Sequence, residues 1–435
     1  MSEPENPTLP GVVLEERPAT VVDTPPRFET ANRTQLELVP TDLEELLPPG
    51  HAARLIWRFV EGLDLSAFYA AIKAREGHAG RSPIDPKILL ALWLYATIDG
   101  VGSAREVDRL CGLHGAYRWL RGGVSVNYHT LSDFRVGYQA ALDDLLTQSI
   151  ATLRHRGIVT LARVAQDGTR VRASAGVGSF RREQTLRACL KEAQQLVART
   201  QRQGEGGRTR EEAAQARAAA ERMARVEDAL AELPAVAAVK ERNRSAKAPR
   251  ASTTDPDARI MKMCDGGFRP AYNVQFATDH ASDAIVGVAV TNAGNDKQEL
   301  EPMLTQIAQR VGVPTTMLVD GGYPTHPAID DASARGITLL APVPKQRGAT
   351  GPVPVQPTDS PAVAAWRARM QTDQAKHEYR FRGAIAERVN ADARTHRTLN
   401  DVLVRGLPKL HAWVLWVALA HNLVRTMGIV PHLMM

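Results

Sequence analysis

The spacing of apolar residues changes along the chain and divides it into segments. Over residues 38–155, apolar residues recur at intervals of three and four, as in DPKILLALWLYATIDGV, which predicts a series of α-helices. Apolar runs typical of strands then occur at about residues 158–167, 169–175, 271–279, 284–293, 316–319 and 337–344. The later strands alternate with helical segments that continue to about residue 428. The pattern therefore predicts an all-α N-terminal domain followed by an α/β domain, whose mixed sheet carries helices on its faces.

Two further segments differ in composition from these domains. Residues 1–37 are rich in proline and polar residues, which predicts a disordered tail. Residues 180–250 are rich in Ala, Arg, Glu and Gln, and predict two long helices broken at Gly204–Gly207. We interpret them as a helical hairpin inserted into the α/β domain, whose core then comprises residues 156–179 and 251–430. The charged face of this hairpin is either solvated or an arm that grips DNA or a partner.

The composition is typical of a soluble globular protein and compatible with a nucleic-acid partner. Hydrophobic residues make up 44% of the chain and the formal net charge is +6. The three cysteines, Cys111, Cys189 and Cys264, are far apart and lack CxxC spacing, so neither a disulfide nor a thiolate metal site is predicted. The apolar runs are shorter than the roughly 20 residues that span a bilayer, and the N-terminus lacks the pattern of a signal peptide. We therefore expect a cytoplasmic protein.

Two aspartates follow strand-like runs in similar contexts. Asp167 lies in VAQDGTRVRA, after the apolar run that begins at Ile158, and Asp320 lies in LVDGGYPT. Asp-Gly between two strand-like runs is a strong hairpin signal, so Asp167 is either an ordinary turn residue or a member of a metal site. Ligands gather at the carboxyl ends of strands in open α/β sheets, and Mg²⁺ prefers oxygen ligands. If these two strands are neighbours, their carboxylates meet at one end of the sheet.

A third acidic residue lies on a predicted helix near the C-terminus. The segment EYRFRGAIAERVNADARTHRTL contains Glu387, and Arg394 follows it by seven residues, on the same face of a helix. A carboxylate and an arginine on one face are able to hold a metal ion and a phosphate together. The alternative is a solvated charged face without a ligand.

The order of these motifs resembles that of DDE-type transposases of bacterial insertion sequences, over about residues 40–428. The segment that begins DPKILLALWLYATIDGVGSAREVDRL is similar to the helical N-terminal domain of that family. VAQDGTRVRASAG and LVDGGYPT resemble the strands that carry its two aspartates, and YRFRGAIAERVNADAR resembles the signature around its glutamate. The resemblance implies an RNase H-like core with a mixed five-stranded sheet. It also implies catalytic, metal-binding carboxylates at Asp167, Asp320 and Glu387.

The resemblance further implies a reaction and its partners. Two divalent ions, Mg²⁺ or Mn²⁺, would lie roughly 3.5–4 Å apart and support in-line displacement at phosphorus during DNA cleavage and strand transfer. The expected partners are terminal inverted repeats and target DNA, bound by a homodimer on paired ends and read by the N-terminal helices. The residues expected to bind DNA are Tyr379, Arg382, Arg394, Arg170 and Arg172. Arg394 stands where the family usually has lysine.

Two alternative functions remain open at this point. After Glu387 the family tends to have proline and then an apolar residue, whereas this chain has Arg388-Val389-Asn390. This departure is compatible with a decayed or repurposed DNA-binding protein of the same fold, and a metal-dependent nuclease without strand joining is the other alternative. Elsewhere, Asn295-Asp296 is predicted to cap a helix that begins at Lys297, because both residue types suit that position. The recurrence of this pair in the family leaves open a role in shaping the site.

Overall fold

The structure is a computed structural model of the 435-residue chain and describes residues 42–72, 82–202, 209–345 and 352–429. The predicted tail and the predicted helix break at Gly204–Gly207 lie outside these ranges. From Leu43 onward, the described residues belong to one compact unit.

Helices dominate the described part of the N-terminal segment, as the apolar spacing predicts. They are α1 (Ala52–Glu61), α2 (Ser66–Ala70), α3 (Pro86–Ile98), α4 (Ala104–Leu113), α5 (Gly115–Arg121), α6 (Tyr128–Gly137) and α7 (Gln139–His155). Helix α3 begins as predicted, because Asp85 accepts a hydrogen bond from the backbone N–H of Lys87 and Pro86 occupies the first turn. Ser103 caps α4 in the same way, by accepting from the N–H of Glu106.

The strands of the second segment form a mixed sheet. They are β1 (Arg163–Arg172), β2 (Phe180–Arg181), β3 (Ala251–Ser252), β4 (Arg259–Lys262), β5 (Phe268–Asp279), β6 (Ile285–Thr291), β7 (Thr316–Leu318) and β8 (Thr338–Leu340). Five of them lie in the order β6-β5-β1-β7-β8, with β1, β7 and β8 parallel and β5 antiparallel to both β1 and β6. The predicted number of five strands is one too few, because the sheet has a sixth strand. Strand β4 pairs with the first residues of β5.

Strand β1 corrects the prediction of two strands joined at Asp167. Pairing with β5 is continuous from Val164 to Arg172, with Asp167 opposite Phe276 and Gly168 opposite Gln275. The Asp-Gly pair is therefore inside one strand, and Asp167 neither forms a turn nor ends the strand. Local sequence favours a hairpin at this position, but β5 is long enough to pair with the whole of β1 and keeps it extended.

The C-terminal helices cover the sheet. They are α11 (Leu300–Arg310), α12 (His326–Ala334), α13 (Pro361–Arg369), α14 (Asp373–Tyr379), α15 (Phe381–Thr395) and α16 (Leu407–Ile429). Helices α13 and α14 are separate, and Thr372 caps the second by accepting from the N–H of Ala375. Helix α16 packs against α3, α6, α7 and β6, so one hydrophobic core joins the N-terminal helices to the sheet.

The inserted segment leaves the sheet and returns through a short pair of strands. Between β2 and β3, which pair antiparallel, lie α8 (Glu183–Arg202), α9 (Arg210–Ala231) and α10 (Leu233–Arg242). Helices α8 and α9 pack along each other, and Leu186 and Ala229 bury their side chains near the base, together with Ala251. The two long predicted helices are thus α8 and α9, and α10 follows them.

Candidate active site

The register of the parallel strands brings Asp167 and Asp320 to the same end of the sheet. Pairing between β1 and β7 ends at Ala165 and Leu318. Asp167 lies two residues beyond this pair on β1, and Asp320 lies two residues beyond it in the loop after β7. Arg382 Nη2 lies 2.9 Å from Asp167 Oδ1 and 3.7 Å from Asp320 Oδ2. One guanidinium therefore bridges the two carboxylates that the sequence predicts to meet.

Helix α15 holds both oxygens of the Asp167 carboxylate. Arg382 donates to Oδ1, and Asn390 Nδ2 donates to Oδ2 at 3.0 Å. Burial raises the pKa of Asp167; the charge of Arg382 opposes this, whereas the charges of Asp320 and Asp296 add to it. The carboxylate is thus held where its ionised form is costly, and its two donors from α15 offset part of that cost.

Glu387 lies on the same helix, across a cavity from the strand. Its side chain is exposed, and it lines a cavity of about 470 Å³ together with Asp167. The other residues that line this cavity are Gly168, Thr169, Arg170, Cys264, Asn390, Ala391, Arg394, Thr395 and Asn400. Asp167 therefore links the other two carboxylates. Arg382 bridges it to Asp320, and it lines one cavity together with Glu387.

The side chains around Asp167 fit a hard divalent cation by their chemistry. Carboxylate oxygens and a neutral amide oxygen are the ligands that such ions prefer. Asn390 supplies the amide oxygen, since its Oδ1 is buried without a hydrogen-bond partner. Within the described ranges, however, no group of three or more His, Cys, Asp or Glu side chains is arranged to hold a metal ion. In this arrangement the guanidinium of Arg382 supplies the positive charge between the two aspartates.

The residues predicted to bind DNA occupy different positions around this cavity. Arg170 and Arg394 line it; Arg170 donates to the carbonyl of Gly294 at 2.9 Å, and Arg394 donates to Asn400 Oδ1 at 3.1 Å. Arg172 is exposed at the end of β1. Tyr379 is half-buried beside Arg382, with its pKa raised chiefly by burial. Arg382 itself is turned towards the two aspartates.

Asp296 is a fourth carboxylate at the site, and its position corrects the prediction of a helix cap. Helix α11 begins at Leu300 rather than Lys297, and only Asn295 accepts from the N–H of Lys297. The Asp296 carboxylate instead accepts hydrogen bonds at 2.7 Å from two side chains of β5, Asn273 and Gln275. These two polar residues alternate within a buried stretch of β5, a signal in the sequence that a polar partner lies against this face.

Glycine is required where these strands and loops approach most closely. A Cβ atom on Gly168 would lie 2.4 Å from Gln275 Nε2 and 2.7 Å from Asp296 Oδ1. In the loop after β7, the N–H of Gly322 donates to Asp320 Oδ1 at 2.7 Å, and a Cβ on this glycine would lie 2.9 Å from the same oxygen. Both glycines therefore let backbone and carboxylates pack at distances that a side chain would prevent.

Tyr323 also belongs to the hydrogen-bond network around Gln275. Its side chain is fully buried, and its hydroxyl donates to Gln275 Oε1. Burial raises its pKa above the ordinary range, and the negative charges of Asp296, Asp167 and Asp320 add to this effect. The hydroxyl therefore stays protonated and serves as a hydrogen-bond donor that fixes Gln275.

A mixed sheet in this order, with flanking helices and carboxylates just beyond the pairing of its parallel strands, defines an RNase H-like core. Two family models match the chain: the "Transposase DDE domain" over residues 248–423 and the "Transposase domain (DUF772)" over residues 41–136. Together they span more than half of the 435 residues, and the chain belongs to the DDE-type transposases of insertion sequences. No curated protein and no solved structure matches it.

Membership of this family carries general properties. The protein is a DNA-binding, DNA-modifying enzyme, and the family generally uses divalent metal ions. The match to the DDE domain includes Asp320 and Glu387, whereas Asp167 lies between the two matched ranges. In the part of the chain that the structure describes, no helix is both long and apolar enough to cross a membrane.

Proposed function

We propose that this protein cleaves DNA at the ends of an insertion sequence and joins those ends to target DNA, with Asp167, Asp320 and Glu387 as its catalytic carboxylates. The observation that carries the proposal is that Arg382 bridges Asp167 and Asp320, each of which lies two residues beyond the parallel pairing of β1 and β7. Glu387 joins them through the cavity that it lines with Asp167. The proposed compartment is the bacterial cytoplasm, where the DNA is.

The three carboxylates would hold two divalent ions, Mg²⁺ or Mn²⁺. When bound, such ions stabilise the charges that develop on the attacking and leaving oxygens during displacement at phosphorus. Arg382 keeps Asp167 and Asp320 together by offsetting their mutual repulsion. In the structure, the N–H groups of Gly322 and Asn390 donate to the carboxylates of Asp320 and Asp167, respectively.

The proposed DNA contacts follow the positive charges around the cavity. Arg170 and Arg394 line the cavity beside the carboxylates, where a phosphate would need counter-charge, and the proposal assigns Arg172, Arg382 and Tyr379 to the DNA-binding surface. We propose that residues 38–155 form the domain that reads the terminal inverted repeats, with a homodimer bridging paired ends. Residues 180–250 form the helical insertion into the core of residues 156–179 and 251–430. Binding through these cations is expected to weaken steeply as salt rises.

The test is cleavage and joining by the purified full chain. DNA with the inverted repeats that flank the gene is incubated with Mg²⁺ or Mn²⁺, and nicked and joined strands are measured. Asp320→Ala is expected to lower the cleavage rate by about 100-fold or more, because it removes a carboxylate that would hold the divalent ions. The matched control is Asp373→Ala, a fully exposed aspartate on α14 that pairs only with Lys376 among the ion pairs found.

The same experiment separates the proposal from its two alternatives. If Asp320→Ala cleaves as fast as the parent, the assignment of the carboxylates is wrong. DNA binding without cleavage under either metal would indicate a repurposed DNA-binding protein. Cleavage without joined product would indicate a nuclease that hydrolyses DNA without strand transfer.

A further inference from the structure

Asn390 is a buried amide in the wall of the cavity between the sheet and α15. It follows Glu387 by three residues, so both side chains lie on one face of the helix. The residue is 9% exposed and lines the cavity with Asp167 and Glu387. Its Nδ2 donates to Asp167 Oδ2 at 3.0 Å, while its Oδ1 is buried without a hydrogen-bond partner. Native proteins rarely leave a buried side-chain oxygen in this state.

The charge of Asp167 decides which way the amide points. A half-turn about the last side-chain bond of asparagine exchanges its oxygen and nitrogen with little change in shape. Without a cation, only the observed orientation is attractive, because the other would set Oδ1 against Asp167 Oδ2. A cation at Asp167 reverses this preference, since an amide oxygen is then attracted to the positive charge. The unpartnered oxygen beside Asp167 is therefore a group that a cation at Asp167 would engage.

We propose that Asn390 is a further ligand of the divalent cation that Asp167 and Glu387 hold, and that its amide turns over when the cation binds. This inference rests on the proposed function, because it requires a cation at Asp167. Asparagine adds an oxygen ligand without adding a fourth negative charge next to Asp167, Asp320 and Asp296. A neutral ligand suits this position because a further negative charge would add to the repulsion among these carboxylates.

The test is the binding of Mn²⁺ alone to the full chain, measured by the electron paramagnetic resonance signal of the free ion. Asn390→Ala is expected to weaken Mn²⁺ affinity by about 10-fold or more, a loss typical of a missing group around a metal. Asn390→Asp restores an oxygen ligand and is expected to bind Mn²⁺ at least as tightly as the parent. The matched control is Asn400→Ala, in the same cavity but bonded to Arg394, which is expected to stay within twofold of the parent.

Thermal unfolding with and without Mn²⁺ provides a second readout that also reports folding. A ligand that binds the native state raises the unfolding midpoint, so Asn390→Asp should gain at least as much from Mn²⁺ as the parent does. If Asn390→Asp loses affinity as Asn390→Ala does, Asn390 only positions Asp167 as an N–H donor and the proposed ligand role is overturned. Parental affinity in Asn390→Ala also overturns it. A parent that binds no Mn²⁺ would instead refute the metal site of the proposed function itself.

Discussion

Two regions of the molecule contribute the candidate carboxylates, and they place them in different ways. Asp167 and Asp320 are positioned by the hydrogen-bond register of β1 and β7, which sets them level with each other at one end of the sheet. Glu387 is carried by α15, which packs against β1 and β5. Backbone pairing that ends two residues before each aspartate sets where both lie, whereas the place of Glu387 depends on how α15 packs.

Arg382 and Asn390 connect these two regions, since both donate from α15 to Asp167. They lie on either side of Glu387 along the helix, five residues before it and three after it. The carboxylate of Asp167 therefore helps to hold the helix that carries Glu387. A change on the helix should uncouple Glu387 from the aspartates, whereas a change in the sheet should disturb the aspartates themselves.

Removing Arg382 is expected to have the largest effect on the reaction. Arg382→Ala leaves Asp167 and Asp320 without their shared cation and frees one end of α15. We expect DNA cleavage to fall by about 100-fold or more. The free energy of unfolding should fall by about 1–3 kcal/mol, between the values for surface and buried ion pairs. The measurements are a cleavage assay and denaturant unfolding.

The control for this variant lies on the same helix. Arg388→Ala removes a half-exposed arginine that pairs with Asp283, away from the cavity. It is expected to change the free energy of unfolding by less than about 1 kcal/mol and to leave cleavage unchanged. Equal cleavage by Arg382→Ala and Arg388→Ala would show that the coupling between helix and strand does not matter for the reaction.

A substitution at Gly168 tests the sheet side of the comparison. Gly168→Ala places a methyl group 2.4 Å from Gln275 Nε2, 2.7 Å from Asp296 Oδ1 and 2.8 Å from Asn273 Oδ1. Relief of this overlap requires β1 and β5 or their polar side chains to shift, which is expected to lower the free energy of unfolding by about 1–3 kcal/mol. Denaturant unfolding measures the loss, and cleavage should fall with it because Asp167 is the adjacent residue.

Gly178→Ala is the matched control, because a Cβ at that position meets no atom within 4 Å. It should be neutral or slightly stabilising, since alanine restricts the unfolded chain more than glycine does. A Gly168→Ala protein as stable as the parent would mean that the close approach of Asp296 to β1 is not a constraint on the native state.

The difference between the two regions also explains what the sequence was able to predict. Asp320 follows a short apolar run, and its position after β7 is correctly predicted from local pattern alone. The strand around Asp167 is not, because Asp-Gly carries the same local signal in a hairpin as in a continuous strand. Only the length of β5, about a hundred residues later in the chain, distinguishes the two, and that is a tertiary property.

Asp296 is a second residue whose role is not predicted from local sequence. Its sequence context, Asn-Asp before a helix, favours a cap, and the structure instead directs its carboxylate to Asn273 and Gln275. The two polar residues on β5 signal a buried polar partner but do not identify it. The sequence around Asn390 does not indicate a role in the site. Its place beside Asp167 and its unpartnered oxygen become visible only in the folded structure.

The smallest predicted effect is a difference in the pH dependence of stability between a sheet carboxylate and a helix carboxylate. Burial raises the pKa of Asp167 above its usual 3.8. The native state then holds its proton to higher pH than the unfolded state does, so the contribution of Asp167 to stability falls as pH rises above about 3.8. Asp392 on α15 behaves in the opposite way. Burial works against it, but the hydrogen bond with His421 and the charge of Arg397 lower its pKa below the usual 3.8.

Unfolding free energies of the parent, Asp167→Asn and Asp392→Asn, measured from pH 3 to pH 6, test this contrast. Relative to Asp167→Asn, the parent should lose stability as pH rises through the window above about 3.8. Relative to Asp392→Asn, the parent should lose stability as pH falls through about 3.8 and below, because the stabilising ionised form is then protonated. Slopes of the same sign for both pairs would contradict the contrast, and would mean that Arg382 outweighs burial at Asp167 as His421 and Arg397 do at Asp392.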